Sequence, residues 1–183
     1  MKKNVIAGIC ALILTGSYLY INATIPSPQI MLREDISAKR AVGKALTNVK
    51  LPDMKGHMCN LTDFIGKGKK HVVLIDFWAT WCGPCMREMP NVKAAYDKYH
   101  KKGFDVVGIS FDNDGTRWKT TVKENGWKWH HLSDLKGWKC AAGKVYEINS
   151  IPSSILVDGN GKIIANDLRG EALNEKLRSI YGF

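Results

Sequence analysis

Positive charge is not concentrated in any one stretch of this 183-residue sequence. Lys and Arg number 27 against 17 Asp and Glu, a net charge of +10, but many of the lysines stand singly or in pairs. Nucleic-acid-binding modules gather basic residues on one face or interleave them with aromatic residues at a recognisable spacing. We therefore expect no nucleic-acid partner. We expect instead a soluble basic surface on an exported protein, with attraction to anionic lipid headgroups as the alternative.

Charged residues are also missing from positions 4–32. The apolar stretch from Val5 to Ile21 lies in length between the core of a signal peptide, roughly 7 to 15 residues, and the roughly 18 or more of a membrane-spanning helix. The Lys2-Lys3 pair before it favours a cytoplasmic N-terminus. We expect an export segment that is either cleaved near Ala23 or kept as an anchor.

Both outcomes place the rest of the chain outside the cytoplasm. We expect residues 1–23 to be a signal peptide or membrane anchor, residues 24–42 a linker, and residues 43–183 one domain of ordinary size. No second linker or internal repeat is visible in the sequence. The predicted location is periplasmic or otherwise extracytoplasmic, soluble after cleavage or anchored by an N-terminal helix.

The pattern of residues 43–183 predicts alternating strands and helices. The nearly continuous apolar run His71–Ala79 is typical of a central strand buried on both faces. Further expected elements are a helix that follows Cys85 and ends near His100, a strand at Phe104–Phe111, a helix at Gly115–Asn125, a helical segment at Trp138–Tyr146, a hairpin from Ser153–Val157 to Lys162–Ala165, and a last helix that carries Leu173 and Leu177. Together they predict an α/β fold, a three-layer sandwich with helices on both faces of a mixed central sheet.

A Cys-x-x-Cys pair, Cys82 and Cys85, stands where the buried strand ends and a helix begins. The N–H groups and peptide dipoles at a helix N-terminus favour negative charge, so the first sulfur can be a thiolate near neutral pH. Cys82 is expected to be accessible and to attack a partner disulfide. Cys85, one turn further, then attacks the mixed disulfide and releases the reduced partner. The two cysteines are thus predicted to form a redox-active disulfide.

Half of a zinc site is the other common meaning of a Cys-x-x-Cys pair. Zinc would need two more ligands, for which His57 and Cys59 are the local candidates. A second close-spaced pair is missing after residue 85, and neighbours such as His130 and His131 point in opposite directions in a strand. We therefore expect neither a metal nor another cofactor.

Several separated motifs resemble the thioredoxin superfamily, and more narrowly its exported TlpA/ResA-like branch. The resemblance covers about residues 43–183. Its motifs, in chain order, are Trp78-Ala79-Thr80-Trp81-Cys82-Gly83-Pro84-Cys85, Glu88-Met89-Pro90, Ile151-Pro152, Asp158-Gly159-Asn160-Gly161-Lys162 and Leu168-Arg169-Gly170.

The resemblance implies roles for particular residues. Pro152 matches a cis-proline that faces the active-site cysteines, and the backbone beside it, at Ile151, pairs with a substrate strand. Asp76 matches the buried acid of thioredoxins and Glu88 the acid of ResA-like proteins, and either could take the proton from Cys85. An exposed helix acid without a catalytic role is the alternative for Glu88. Substrate binding is expected at five residues: Trp81, Gly83, Pro84, Ile151 and Pro152.

The resemblance also implies an enzyme that reduces disulfides of exported proteins, including those of apocytochromes, whose thiols then await haem. Such a reductant needs electrons from a membrane thiol-disulfide donor. A disulfide-forming oxidase and a redox-inactive partner-binding module are the alternatives. A peroxiredoxin is not indicated, because its pattern places proline and threonine where Ile75 and Ala79 stand.

Two further features leave alternatives open. Cys59 and Cys140 could form a structural disulfide in an oxidising compartment, or both could be free thiols. A tryptophan-rich stretch could form a ligand or peptide surface, although such rings more often belong to the core. Its tryptophans are Trp118, Trp127, Trp129 and Trp138.

Overall fold

The computed structural model describes residues 42–66, 68 and 70–182. The predicted export segment, and the linker up to residue 41, lie outside the described residues. Within the described part of the chain, no helix has both the length and the apolar character needed to cross a membrane.

Seven strands and four α-helices make up the described chain. The strands are β1 (Lys50–Pro52), β2 (Met58–Asn60), β3 (Val72–Trp78), β4 (Phe104–Ser110), β5 (His130–Leu132), β6 (Ser153–Asp158) and β7 (Ile163–Asn166). The α-helices are α1 (Gly83–Tyr99), α2 (Gly115–Glu124), α3 (Ala141–Val145) and α4 (Glu171–Tyr181). Short 3₁₀ helices cover Leu61–Phe64, His100–Lys102 and Gly137–Lys139.

Five strands form the central sheet in the order β5-β4-β3-β6-β7. β3 pairs in parallel with β4 and antiparallel with β6, so the sheet is mixed, as predicted. Every residue of β3 is buried, which agrees with its continuous apolar sequence. The predicted α/β class, the central strand, the hairpin and the last helix are confirmed.

The predicted helix from Trp138 to Tyr146 is wrong as a single element. It is divided at Cys140, whose ψ of 134° is extended rather than helical. The Asp134 carboxylate accepts the N–H of Ala141 at 3.0 Å and so satisfies a first-turn N–H of the new, shorter helix after the break. The result is a 3₁₀ turn followed by α3.

The residues that precede β3 contact both edges of the sheet, which the sequence pattern did not predict. The N–H groups of Gly43 and Leu46 donate to carbonyls of Ile163 and Gly161 beside the β6–β7 hairpin. Further along, the β1–β2 hairpin reaches the other edge, where the Ser133 N–H donates to the Pro52 carbonyl at 3.0 Å. These contacts attach residues 43–52 to both edges of the sheet.

Candidate active site

The disulfide between Cys82 and Cys85 is formed, with 5.2 Å between the two Cα atoms. It lies where β3 has ended and α1 begins. Cys82 is the N-cap residue of α1, and its sulfur accepts the backbone N–H of Cys85 at 3.2 Å. A thiolate at this sulfur would therefore accept a hydrogen bond, and the positive end of the helix dipole would stabilise its charge.

The two sulfur-bearing residues differ less in exposure than predicted. Cys82 is 5% exposed and Cys85 is 1% exposed, so the first cysteine is the more accessible one, yet both are buried in the disulfide state. The intervening Gly83 and Pro84 are exposed at the surface of the turn. A Cβ at Gly83 would lie 3.5 Å from the Arg87 guanidinium, which places a positive charge beside the turn.

The Ile151–Pro152 peptide bond is cis, as predicted from the resemblance. Both residues are half-buried. The next residue, Ser153, pairs with Phe77 near the end of β3. Since the disulfide turn leaves the sheet from that same end, the register brings the cis-proline to the end of the sheet that carries the cysteines.

Asp76 is buried inside β3 and only 6% exposed. Burial raises the pKa of its carboxyl to about 7, the negative charge of Glu88 adds to the rise, and the positive charge of Arg169 opposes it. Its neighbours in the sheet, Gly108 and Ser154, carry no charge. A carboxyl that titrates near neutral pH can accept and return a proton.

Glu88 is not the exposed helix acid that the sequence left open. It is half-buried on α1, and its Oε1 accepts the backbone N–H of Gly170 at 2.8 Å and the side-chain amide of Asn91 at 2.9 Å. Its charge also acts on Asp76. The two acids predicted for proton transfer therefore belong to one site.

Asp112 supports the turn that leads to the cysteines, although the sequence analysis did not select it. Its carboxylate accepts the Thr80 hydroxyl at 2.6 Å and the Thr80 N–H at 3.1 Å, and it also accepts the Ser110 hydroxyl at 2.7 Å. The residue is 1% exposed. An acid directly after the predicted strand was the available clue, but the pairing with Thr80 spans 32 positions.

Two exposed tryptophans stand together next to the disulfide turn. Trp81 is 46% exposed and Trp138 is 51% exposed, and their ring centroids lie 6.0 Å apart. Trp138 also packs edge-on against Phe111 at 5.3 Å. Of the tryptophan-rich stretch, only this residue forms part of an exposed surface, because Trp118, Trp127 and Trp129 are buried.

Cys59 and Cys140 are both free thiols, so the suggested second disulfide is not formed. Cys140 is buried, and burial raises the pKa of its thiol to about 11. Cys59 is half-buried, and burial together with the charges of Asp53 and Asp63 raises its thiol pKa as well. Neither thiol is suited to act as a nucleophile near neutral pH.

Metal binding has no visible site in the described chain. Among residues 42–66, 68 and 70–182, no three His, Cys, Asp or Glu side chains are grouped so that they could hold a metal ion. His131 is buried within an aromatic cluster, which lowers its pKa to about 4, whereas His130 is exposed. The two adjacent histidines therefore point in opposite directions, as predicted.

Comparison with known proteins agrees with this geometry. The family model described as Redoxin matches residues 41–179. The thiol-disulfide oxidoreductase ResA of Bacillus thuringiensis subsp. konkukian (strain 97-27) is 35% identical over 139 residues, which cover 76% of each chain.

Solved structures of thiol-disulfide oxidoreductases are similar to this chain as well. A thiol-disulfide oxidoreductase from Bacteroides fragilis NCTC 9343 is 33% identical, with a TM-score of 0.68 over 75% of this chain and 99% of that one. The thioredoxin domain of a Bacteroides vulgatus thiol-disulfide oxidoreductase is 32% identical, with a TM-score of 0.69 over 78% of this chain and 99% of that one.

The fold and the disulfide turn define a thiol-disulfide oxidoreductase with a thioredoxin-like fold, an enzyme that acts on protein disulfides. The chain belongs to the Redoxin family, in the TlpA/ResA-like branch of the thioredoxin superfamily.

Proposed function

We propose that this enzyme reduces disulfides of exported proteins through the dithiol form of Cys82 and Cys85. The observation that carries the proposal is the position of the Cys82 sulfur at the N-terminus of α1, where it accepts the Cys85 N–H at 3.2 Å. A thiolate is favoured at this position, and the thiolate is the nucleophile of disulfide exchange.

The reaction then has two steps. The Cys82 thiolate attacks a substrate disulfide, forms a mixed disulfide and displaces one substrate thiolate. The Cys85 thiol gives its proton to Asp76 and attacks the Cys82 sulfur, which releases the second substrate thiolate. Two electrons pass from the enzyme dithiol to the substrate disulfide, and the Cys82–Cys85 disulfide remains.

The two acids have different proposed roles in proton transfer. Asp76 is the base because its pKa of about 7 lets it hold or release a proton at neutral pH. Glu88 modulates Asp76 through its charge and stays bound to the Gly170 N–H. This assignment gives the two predicted acids different tasks at one site.

Substrate binding is assigned to the surface around the disulfide turn. Trp81 offers an exposed ring, Gly83 and Pro84 leave the turn open, and the backbone of Ile151 before Pro152 pairs with an extended substrate segment. Trp138 joins this set because its ring lies 6.0 Å from that of Trp81. The substrate is a polypeptide that presents a disulfide in an extended segment.

The direction of electron flow is inferred from the residues between the cysteines. Thioredoxin carries the same Gly-Pro pair and is strongly reducing, with a potential of about −270 mV. A reductant outside the cytoplasm requires a membrane thiol-disulfide electron donor, and its proposed substrates are disulfides of apocytochromes, which it would reduce to the thiols that bind haem in cytochrome c maturation. We assign residues 1–23 to export or anchoring, residues 24–42 to a linker and residues 43–183 to the catalytic domain, at a periplasmic or other extracytoplasmic location.

Insulin reduction combined with single cysteine variants tests the proposal. Cys82→Ser is expected to abolish activity, whereas Cys85→Ser is expected to accumulate mixed disulfides with the physiological partner, which mass spectrometry would identify. Cys140→Ser is the matched control and is expected to retain activity, because that thiol is buried away from the exchange. Equal activity of the first two variants would rule out the order of attack.

The reduction potential of the pair decides between the two directions. A value near that of the glutaredoxins, about −200 to −230 mV, or lower supports the reductant, and a value near about −120 mV supports a disulfide-forming oxidase instead. A disulfide that does not exchange with small thiols would leave only a partner-binding module.

A further inference from the structure

Four consecutive residues, Asp167–Gly170, contact both β6, the strand that follows the cis-proline, and α1, the helix that carries the disulfide. On the strand side, the Asp167 carboxylate accepts the Ser153 hydroxyl at 2.6 Å and the Ser154 N–H at 3.0 Å. On the helix side, the Gly170 N–H donates to Glu88 at 2.8 Å. We call Asp167–Gly170 the bridging segment, because its two ends bind the two halves of the active site.

The backbone of this segment is specially shaped. Asp167 has a φ of 52°, and Gly170 combines a φ of 51° with a ψ of −130°, a conformation that only glycine adopts readily. The Gly170 carbonyl also accepts the Asn91 side-chain amide from α1 at 3.2 Å. The segment is thereby held against both β6 and α1. This fixes the place of the residue that precedes Gly170.

Arg169 occupies that place. Its guanidinium donates a hydrogen bond to the carbonyl of Pro152, the cis-proline itself. The carbonyl is therefore already engaged by the protein, and the plane of the peptide that follows Pro152 is fixed relative to the bridging segment. A substrate strand that pairs with the backbone at Ile151 would meet an edge whose orientation Arg169 sets.

Arg169 is exposed, but its positive charge also acts on the buried Asp76. The charged groups that act on Asp76 are Glu88 from α1, which raises its pKa, and Arg169 from the bridging segment, which lowers it. The strand neighbours of Asp76, Gly108 and Ser154, are uncharged. Arg169 is thus the positive charge that balances Glu88.

We propose that Arg169 is a positioning residue for disulfide exchange, which fixes the cis-proline edge for the substrate and balances the charge of Glu88 at Asp76. This inference rests on the proposed function, since it concerns the same exchange reaction. Arg169 donates through one group to the substrate-binding edge and acts through its charge on the proton acceptor, so the two contributions are separable by substitution.

Two substitutions separate them. Arg169→Gln removes the charge and keeps a donor, so a ¹³C NMR titration of the Asp76 carboxyl is expected to show its pKa raised by about 0.5 to 1 unit. Arg169→Lys keeps the charge but loses the planar fork, so the Asp76 titration is expected to stay near that of the native protein. In the Lys variant, KM for a peptide disulfide is expected to rise about threefold to tenfold with little change in kcat.

Arg178→Gln is the matched control, because Arg178 is an exposed arginine paired with Glu171 at 3.1 Å on the far part of α4. Neither readout is expected to change in it. An Arg169→Gln variant with an unchanged Asp76 titration, or a Lys variant with native KM, would overturn the corresponding half of the proposal. Because the titration requires no substrate, it stays informative even if the native enzyme reduces no protein disulfide, a result that would instead refute the proposed function.

Discussion

The Asp112 carboxylate holds Thr80 by both its backbone N–H and its hydroxyl, and so fixes the turn between β3 and Cys82. The hydroxyl contact measures 2.6 Å and the N–H contact 3.1 Å. Because Asp112 is buried, water does not compete for these donors. The position of the turn before Cys82 thus depends on an acid 30 residues further along the chain.

Asp112→Asn is expected to lower the free energy of unfolding by about 2 kcal/mol, because the amide leaves a buried donor poorly matched to the Ser110 and Thr80 hydroxyls. Urea denaturation would measure the loss. Asp114→Asn is the control, since Asp114 caps α2 at the surface and asparagine caps equally well. Equal stability of the Asp112 and Asp114 variants would contradict the role given to Asp112.

Asp76→Asn is expected to stabilise the protein in a pH-dependent manner. The pKa of Asp76 is raised from 3.8 to about 7 in the folded state, so the folded protein holds this proton more tightly than the unfolded chain. Its contribution to stability is complete below pH 3.8 and is lost as the pH rises through about 7.

The advantage of the Asp76→Asn variant should therefore grow between those values and reach up to about 4 kcal/mol above pH 7. Thermal or urea unfolding at a series of pH values would measure it. Asp97→Asn serves as the control, because Asp97 is exposed and forms a surface pair with Lys93. A stability difference that does not vary with pH would refute the raised pKa.

Glu88→Gln is expected to lower the pH at which the exchange reaction reaches half its maximal rate. Glutamine can still accept the Gly170 N–H, but it removes the negative charge that raises the pKa of Asp76. Stopped-flow tryptophan fluorescence of single-turnover oxidation by a peptide disulfide would follow the change. Glu124→Gln, at the exposed end of α2, should leave the profile unchanged. An upward shift in the Glu88 variant would contradict the assigned sign.

Trp138→Ala is expected to raise KM for protein disulfides about threefold to tenfold while leaving kcat nearly unchanged, because exposed aromatic anchors contribute to binding. Trp138→Phe keeps a ring against Phe111 and should retain most of the affinity. Reduction of a small aromatic disulfide, which contacts only the cysteines, is the internal control. A matching loss with the small substrate would indicate damage to the disulfide turn rather than to a binding surface.

Local patterns were sufficient for the central elements of this fold. β3 has a continuous apolar sequence, and the cysteine pair follows it directly, so strand, helix and disulfide were predicted within one or two residues. The cis bond at Pro152 came from the family resemblance rather than from any local pattern. β5 was missed as a strand because three residues carry too short an alternation to be recognised.

Contacts between distant residues account for most of what the sequence did not predict. The Gly170 N–H donates to Glu88, which lies 82 positions earlier in the chain. No periodicity within either helix predicts this pairing. Glu88 was therefore left between a catalytic and a surface role. Trp138 was grouped with three buried tryptophans, because composition alone does not distinguish a ring that covers the core from one that faces solvent.

The chain enters the folded domain beside the β6–β7 hairpin, where Ala45 bridges to Lys162. That hairpin lies level with Val72, the first residue of β3, whereas the cysteines follow its last residue. Seven residues of strand separate the two levels, about 20 Å. The disulfide therefore lies at the opposite end of the sheet from the residues around Ala45, so a partner can approach the sulfurs without meeting the start of the described chain.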